Sequence, residues 1–290
     1  MKKIALLFLT IDNHNKPDIW KQFLKNTNYF NIYCHPKNPS KVSQSFLKDN
    51  IIPELVETAW GELVLAYYNL LKYAFENKEN YKFVYLSDSC IPIKNAETVY
   101  AELINDNATY IDLDVRTSKH DIEHRLNKHL HIYKKYGINK YNFIKHSGWF
   151  VLNRFHSQVL LSNEKIFKYF NKVLAGDEHI LSILKANQMK LTPRIITCTK
   201  WDQTAYSIYK RDSARLWKMY DTTENQSEKQ NILKVIKKMK IKMLEKTKHP
   251  KIYKVITEKD NTEFKFKKCL FIRKILPETN IKLVDFSFIK

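Results

Sequence analysis

Glycine is scarce, with four in 290 residues. Neither G-x-G-x-x-G nor G-x-x-x-x-G-K-[ST] occurs, which excludes the glycine-rich loops that wrap phosphates in dinucleotide and P-loop folds. Cysteine is as sparse. Cys34, Cys90, Cys198 and Cys269 lie far apart and form no C-x-x-C pair. No zinc site is expected, and buried thiols in a reducing compartment are. No apolar run approaches the ~20 residues that span a bilayer. The opening "KIALLFLTI" has no cleavage site and meets Asp12 too early for a signal peptide. G-x-S-x-G and H-E-x-x-H are absent. A chain located in the cytoplasm is the resulting expectation.

Acidic residues are in short supply too. The 50 Lys and Arg against 30 Asp and Glu leave a net charge of +20. Such an excess implies nucleic acid, an acidic membrane face or a phosphorylated small molecule as partner, or else a solvated lysine-rich surface.

What is present is an alternation of strand and helix. "KIALLFLTI", "YFNIYCH", "YKFVYLSDSCIPI", "ATYIDLDV", "SGWFVLNR" and "RIITCTKWD" read as strands, the last as a central one. Helical patterns start near Pro17 and Ala96 and run through "AWGELVLAYYNLLKYAF". A polar, histidine-bearing loop is expected over residues 116–140. The alternation predicts an α/β fold with a largely parallel sheet and ligands at the carboxyl ends of its strands. Beyond residue 202, "NILKVIKKMKIKMLEKTKHPK" sets Ile232, Ile236, Met239 and Met243 on one stripe, with lysines around it. That is a basic amphipathic helix, suited to covering a core or to lying on an anionic membrane.

Two acidic motifs are chemistry candidates. In "VLAGDEHILSIL", Glu178 is expected in the first turn of a helix, where the macrodipole lowers a carboxylate pKa. It reads either as a general base or as a common helix-start acid. "YIDLDV" brings Asp112 and Asp114 to one face of a strand, either as ligands of a divalent metal or as two solvent-facing acids.

The segments "LSDSCIPIKN", "SGWFVLNR", "GDEHILSIL", "KWD", "HPKIYKV" and "LFIRKI" occur in an order and spacing that resembles the core 2/I-branching β-1,6-N-acetylglucosaminyltransferase family. The resemblance implies a GT-A-type α/β fold and an inverting glycosyl transfer from a UDP-sugar without metal or other cofactor. It implies that Glu178 is the catalytic base, with Asp177 and His179 capping and orienting its helix. Arg273 and Lys274 would neutralise the leaving diphosphate, joined by a residue of "HPK", either His249 or Lys251. Trp201, and with a weaker claim Trp149, would pack against the acceptor sugar. The family usually reads His-x-Asp after its second strand, where this chain has His35 and Lys37. An acid expected in the third-strand turn is Cys90 here, with Asp88 close by. Animal members carry disulfides and an anchor; neither is expected here.

The reading is therefore a transferase core over residues 1–202, a basic helical insertion over 203–248, and a segment over 249–290 that completes the diphosphate site. GlcNAc or a related sugar such as xylose would pass to a glycan or glycolipid in surface-glycan synthesis. Contact with an anionic membrane, at the inner face, is part of that expectation. A metal-dependent transferase using Asp112 and Asp114 is the first alternative. A nucleic-acid-binding protein is the second, and it leaves the ordered motifs unexplained.

Overall fold

In a computed structural model that describes residues 1–112, 119–201, 204–247, 250 and 252–281, the apolar opening run is strand β1 (Lys3–Thr10), buried along most of its length. It lies between β2 (Phe30–Pro36) and β3 (Asn80–Ser87), parallel to both. A strand covered on both faces by helices has no use for alternating polarity, which is why this one is almost continuously apolar. Helices α1 (Pro17–Leu24) and α2 (Val64–Glu76) supply that cover. Trp20 of α1 meets Phe8 edge-on, with ring centroids 4.9 Å apart. On the other face Tyr67, Leu70, Leu71 and Ala74 of α2 are buried beside Ala5, Leu7 and Tyr85.

The expected third strand breaks in two. After β3, the turn at Asp88 and Ser89 leads into β4 (Ile91–Pro92), and helix α3 (Ala96–Ile104) follows, capped by the Asn95 side chain. The main sheet continues through β5 (Tyr110–Ile111), β6 (Val151–Asn153) and β7 (Thr192–Pro193). Among the described residues its order is β2-β1-β3-β6-β5-β7, and only β6 runs antiparallel to its neighbours. This is the mostly parallel α/β sheet read from the sequence. Because β1 pairs with β2 on one side and β3 on the other, the strand order reverses at β1. Open α/β sheets bind ligands at such a reversal, beyond the carboxyl ends of the strands.

Three expectations need correction. The strand in "RIITCTKWD" is short, β8 (Thr197–Thr199), and stands outside the main sheet, in a three-stranded sheet ordered β4-β10-β8 with β10 (Phe271–Arg273). The stretch after residue 118 is not a loop but a series of short helical turns over residues 119–136. Cys198 and Cys269 form a disulfide across 71 residues, while Cys34 and Cys90 stay buried as thiols. The small sheet brings the two disulfide cysteines together, and no local spacing announces a pair so far apart. The bond removes the argument from reduced thiols to a reducing compartment.

Beyond β7 the chain divides into two compact units, one comprising Met1–Cys198 with Lys254–Lys290 and the other Thr199–Tyr253. The first unit also holds α4 (Arg154–Ser162), α5 (Glu164–Tyr169) and α6 (Ser182–Ala186). Strand β9 (Tyr253–Val255) begins at the boundary between the units, and α9 (Glu258–Phe266), with a Thr257–Asp260 capping box, and β11 (Ile275–Asn280) follow near the end of the first. The second unit is a hairpin of α7 (Thr204–Thr222) and α8 (Gln226–Thr247). Ile232, Ile236 and Met243 are buried in it, with Met239 half-buried, as the stripe in the sequence implied. No helix among the described residues is long and apolar enough to cross a membrane.

One glycine is held by contact rather than by dihedral angle. A Cβ on Gly176 would stand 2.0 Å from the carbonyl oxygen of Phe170, a backbone atom that has no rotamer to yield. Gly176→Ala is expected to lower unfolding free energy by about 3 kcal/mol. Denaturant titration checks this, and an unchanged midpoint would show that the turn can open at little cost.

Candidate active site

The sequence around Glu178 folds as a tight turn, not as the start of a long helix. Ala175 takes a left-handed conformation at φ 53°, and Gly176–Glu178 forms one 3-10 turn before the chain reaches α6. The Ala175 N–H donates to the carbonyl of Gly61, itself at φ +81°, at 3.1 Å. Two exposed apolar side chains, Trp60 (66%) and Leu174 (56%), flank this contact in sequence. On the other side, His146 N–H donates to the Glu178 carbonyl at 2.8 Å. The chain over residues 143–148 thus runs beside the turn and fixes it.

A three-residue turn has almost no dipole to offer, so burial governs both acids. Asp177 is buried, and desolvation with the adjacent Glu178 charge pushes its pKa up to about 7. Its Oδ1 has no hydrogen-bond partner among the described residues. Burial also raises the pKa of Glu178, against the pull of Lys145 and Arg125. This reverses the lowered value expected from a helix start. Glu178 keeps a third of its side chain exposed, with Oε2 3.6 Å from Lys145 Nζ and 3.9 Å from Arg125 Nη1.

His179 closes the 3-10 turn through its backbone N–H, which donates to the Gly176 carbonyl, and its side chain is engaged elsewhere. Burial lowers its pKa to about 3, so the ring is neutral. Arg125 Nη1, which can only donate, lies 2.9 Å from Nε2, which leaves the proton on Nδ1 to reach the Ile144 carbonyl at 2.9 Å. The ring stacks on Phe143, and Arg125 also reaches the buried Asp121 at 3.4 Å. His179 therefore aligns Arg125, and Arg125 stands over Glu178.

Sequence reasoning missed Asp121 and Arg125, which sat in what looked like a polar loop, and Lys145, which lies beyond that loop. The signal available was the Asp121–Arg125 spacing of four, which on a helical turn pairs opposite charges. It also missed Tyr67, whose hydroxyl donates to the Gly148 carbonyl at 2.9 Å. A Cβ on Gly148 would lie 2.8 Å from that hydroxyl, which accounts for the glycine in "SGW".

A second cluster forms where the strand order reverses. The Asp88 carboxylate accepts from the Ile11 N–H at 3.1 Å, tying the end of β3 to the end of β1. Burial raises its pKa, while Arg273 and Lys274 pull the other way. The Arg273 guanidinium lies 4.2 Å from the centre of the Trp149 ring, and its Nε is buried without a hydrogen-bond partner among the described residues. Asp88, Trp149, Arg273 and Lys274 are thus brought together. Burial, with the nearby Asp177 charge, pushes the Tyr67 hydroxyl pKa well up, while Arg273 pulls the other way, so Tyr67 lies within electrostatic reach of both clusters.

The remaining candidates are dispersed. His35 is fully buried at the end of β2 and accepts from the Val56 N–H at 3.0 Å, so its work is in the loop that follows. Lys37 is exposed just beyond it. Trp201 is 45% exposed and belongs to the second compact unit. Asp112 is half-buried after β5, and its expected companion Asp114 lies outside the described residues, as do His249 and Lys251.

A folded-state pKa of about 7 for Asp177, against 3.8 for an ordinary aspartate, means that the fold prefers this carboxyl protonated. Its contribution is complete below the unfolded value and is lost as pH rises through the folded one. Asp177→Asn is therefore expected to gain on the wild type between those limits, by up to about 4 kcal/mol. Denaturant titrations of both proteins across that range check it; a pH-independent difference would mean that the carboxyl is not desolvated.

A sequence profile described as "Core-2/I-Branching enzyme" matches residues 4–226. The glycosyltransferase BC10 of Oryza sativa subsp. japonica is 24% identical over 179 residues, 59% of this chain and 43% of the rice protein. The chain thus spans under half the length of that relative. Among solved structures, the galactosyltransferase LgtC in complex with donor and acceptor sugar analogs is similar at TM-score 0.35 and 12% identity, covering 71% of this chain and 78% of that one. An active-site mutant of LgtC gives 0.36 and 11%, over 70% and 77%. The profile includes Asp88, Trp149 and the Glu178 turn, stops before Arg273 and Lys274, and covers most of the chain, which belongs to the Core-2/I-Branching enzyme family.

Proposed function

We propose that this glycosyltransferase moves a sugar, GlcNAc or a relative such as xylose, from a UDP-sugar to a hydroxyl of a surface glycan or glycolipid. Transfer inverts the anomeric centre and needs no metal. The observation that carries this reading is a carboxylate of raised pKa that keeps an exposed edge, Glu178, in the same unit as a cationic pair at the strand reversal, Arg273 and Lys274.

The chemistry follows from these groups. The acceptor hydroxyl oxygen attacks the anomeric carbon while the bond from that carbon to the diphosphate oxygen breaks. Glu178 takes the hydroxyl proton, and the bonding electrons leave with UDP. A base that is partly desolvated holds a proton more readily than a free glutamate, which favours this transfer near neutral pH. Lys145 and Arg125 keep Glu178 ionised often enough to act, and the elevated Asp177 pKa keeps a second negative charge from forming beside it. The growing charge on the diphosphate is met by Arg273, aimed by its contact with Trp149, and by Lys274. Lys37, exposed just beyond β2, would add positive charge for the donor.

Glu178→Gln should lower kcat by about 10²–10⁴-fold with donor affinity retained. The acid limb of the wild-type kcat/KM profile should lie above pH 4.5, the ordinary glutamate value, because burial raises this one. Near-wild-type turnover of the purified variant would sink the assignment. Lys274→Ala should weaken UDP binding by calorimetry, and turnover should survive excess EDTA. Loss in EDTA with recovery on adding Mn²⁺ would instead point to the Asp112 and Asp114 route.

A further inference from the structure

The second compact unit, Thr199–Tyr253, holds 14 basic and 6 acidic residues, a net of +8 in 55 residues. Its hairpin keeps Ile232, Ile236 and Met243 inside, while Lys234, Lys237, Lys238, Lys240 and Lys242 are exposed on α8. At 100° per residue these five lysines spread over the outward half of the helix. Lys210, Arg211, Arg215 and Lys218 are exposed on α7. Among these cations stand large apolar side chains that the hairpin leaves in water, including Trp217 (43%), Met219 (50%), Val235 (47%) and Ile241 (51%).

We propose that this hairpin docks on an anionic lipid bilayer. Phosphate-rich partners of either kind, bilayer or nucleic acid, satisfy the lysines. Only a bilayer also satisfies exposed aliphatic side chains, which sink into the boundary between headgroups and acyl chains while lysine stems bend back to the phosphates. A nucleic-acid groove uses aromatic stacking and hydrogen bonding, and Ile241 and Val235 bring neither. Trp217, packed edge-on to Tyr220 at 5.5 Å, suits the interfacial zone where indole rings collect. The inference stands apart from the transferase reading, since attachment is measured without turnover.

The test uses the full chain with vesicles of phosphatidylcholine alone or mixed with phosphatidylglycerol. At low salt the protein should sediment with the anionic vesicles only, and release as salt screens the charges. Joint Lys234→Glu, Lys237→Glu and Lys238→Glu substitution should weaken partitioning by about 100-fold or more. The triple Lys→Gln variant should weaken it less, with the circular dichroism of both unchanged. A blue shift of tryptophan emission on binding should shrink in Trp217→Phe. The proposal is overturned by failure to bind anionic vesicles at low salt. It is equally overturned if the triple Lys→Glu variant binds like the wild type, or if DNA or RNA is bound and anionic vesicles do not displace it.

Discussion

Two adjacent carboxyl groups share one buried 3-10 turn, and that crowding organises the site around it. Both cannot ionise cheaply so close together in a desolvated place. Asp177, deeper and without a partner for Oδ1 among the described residues, holds its proton up to about pH 7, and Glu178 takes the exposed edge beside two cations. The turn is this tight only because Gly176 lets the chain pass against the Phe170 carbonyl and Ala175 accepts a left-handed backbone. A carboxylate on a longer helix would have had a dipole to hold it ionised. This one relies on Arg125 and Lys145, and Arg125 relies in turn on the tautomer of His179.

The cationic cluster obeys a different logic. Arg273 is set over an indole face and, among the described residues, is not paired to a carboxylate within salt-bridge distance; Asp88 is neighbour enough for its charge to be felt but is engaged by the Ile11 N–H. A guanidinium held by a cation–π contact keeps most of its donors for another anion, which a bidentate carboxylate would have consumed. Open α/β sheets leave a crevice where the strand order reverses, as it does here at β1.

Much of this was legible in order and little in local geometry. Continuous apolar runs identify β1 and β3 because buried parallel strands have no polar face to show, and helical spacing identifies α2 from Val64 onward. Glu178 stood out through its motif. Its environment did not, because a three-residue turn and a helix start look alike in "GDEHILSIL". Arg125 was hidden because charges in a histidine-rich stretch suggest solvent, Lys145 belonged to no motif, and only the fold turns both toward Glu178. The β8 misassignment and the Cys198–Cys269 bond have one cause: the small sheet pairs segments some seventy residues apart, and a single chain's local pattern carries no record of such partners.

The charge of the chain is unevenly distributed, and that separates two electrostatic tasks. Of the net +20, the hairpin unit carries +8 in 55 residues and the larger unit +12 in 235, so the hairpin is nearly three times denser. In the larger unit, several cations are consumed locally: Lys82 by Asp106 and the Ala108 carbonyl, Arg154 by the carbonyls of Phe75, Asn77 and Asn80, and Arg194 by Glu102. Arg273 is instead fixed by its contact with the Trp149 ring. Fixed donors cost no reorganisation when charge develops, so a handful suffices for catalysis. Lysines on an exposed helix have the opposite character, mobile and numerous, and each is weak where salt screens it. Mobile charges of that kind suit a broad fluid surface, where no single contact has to hold its geometry.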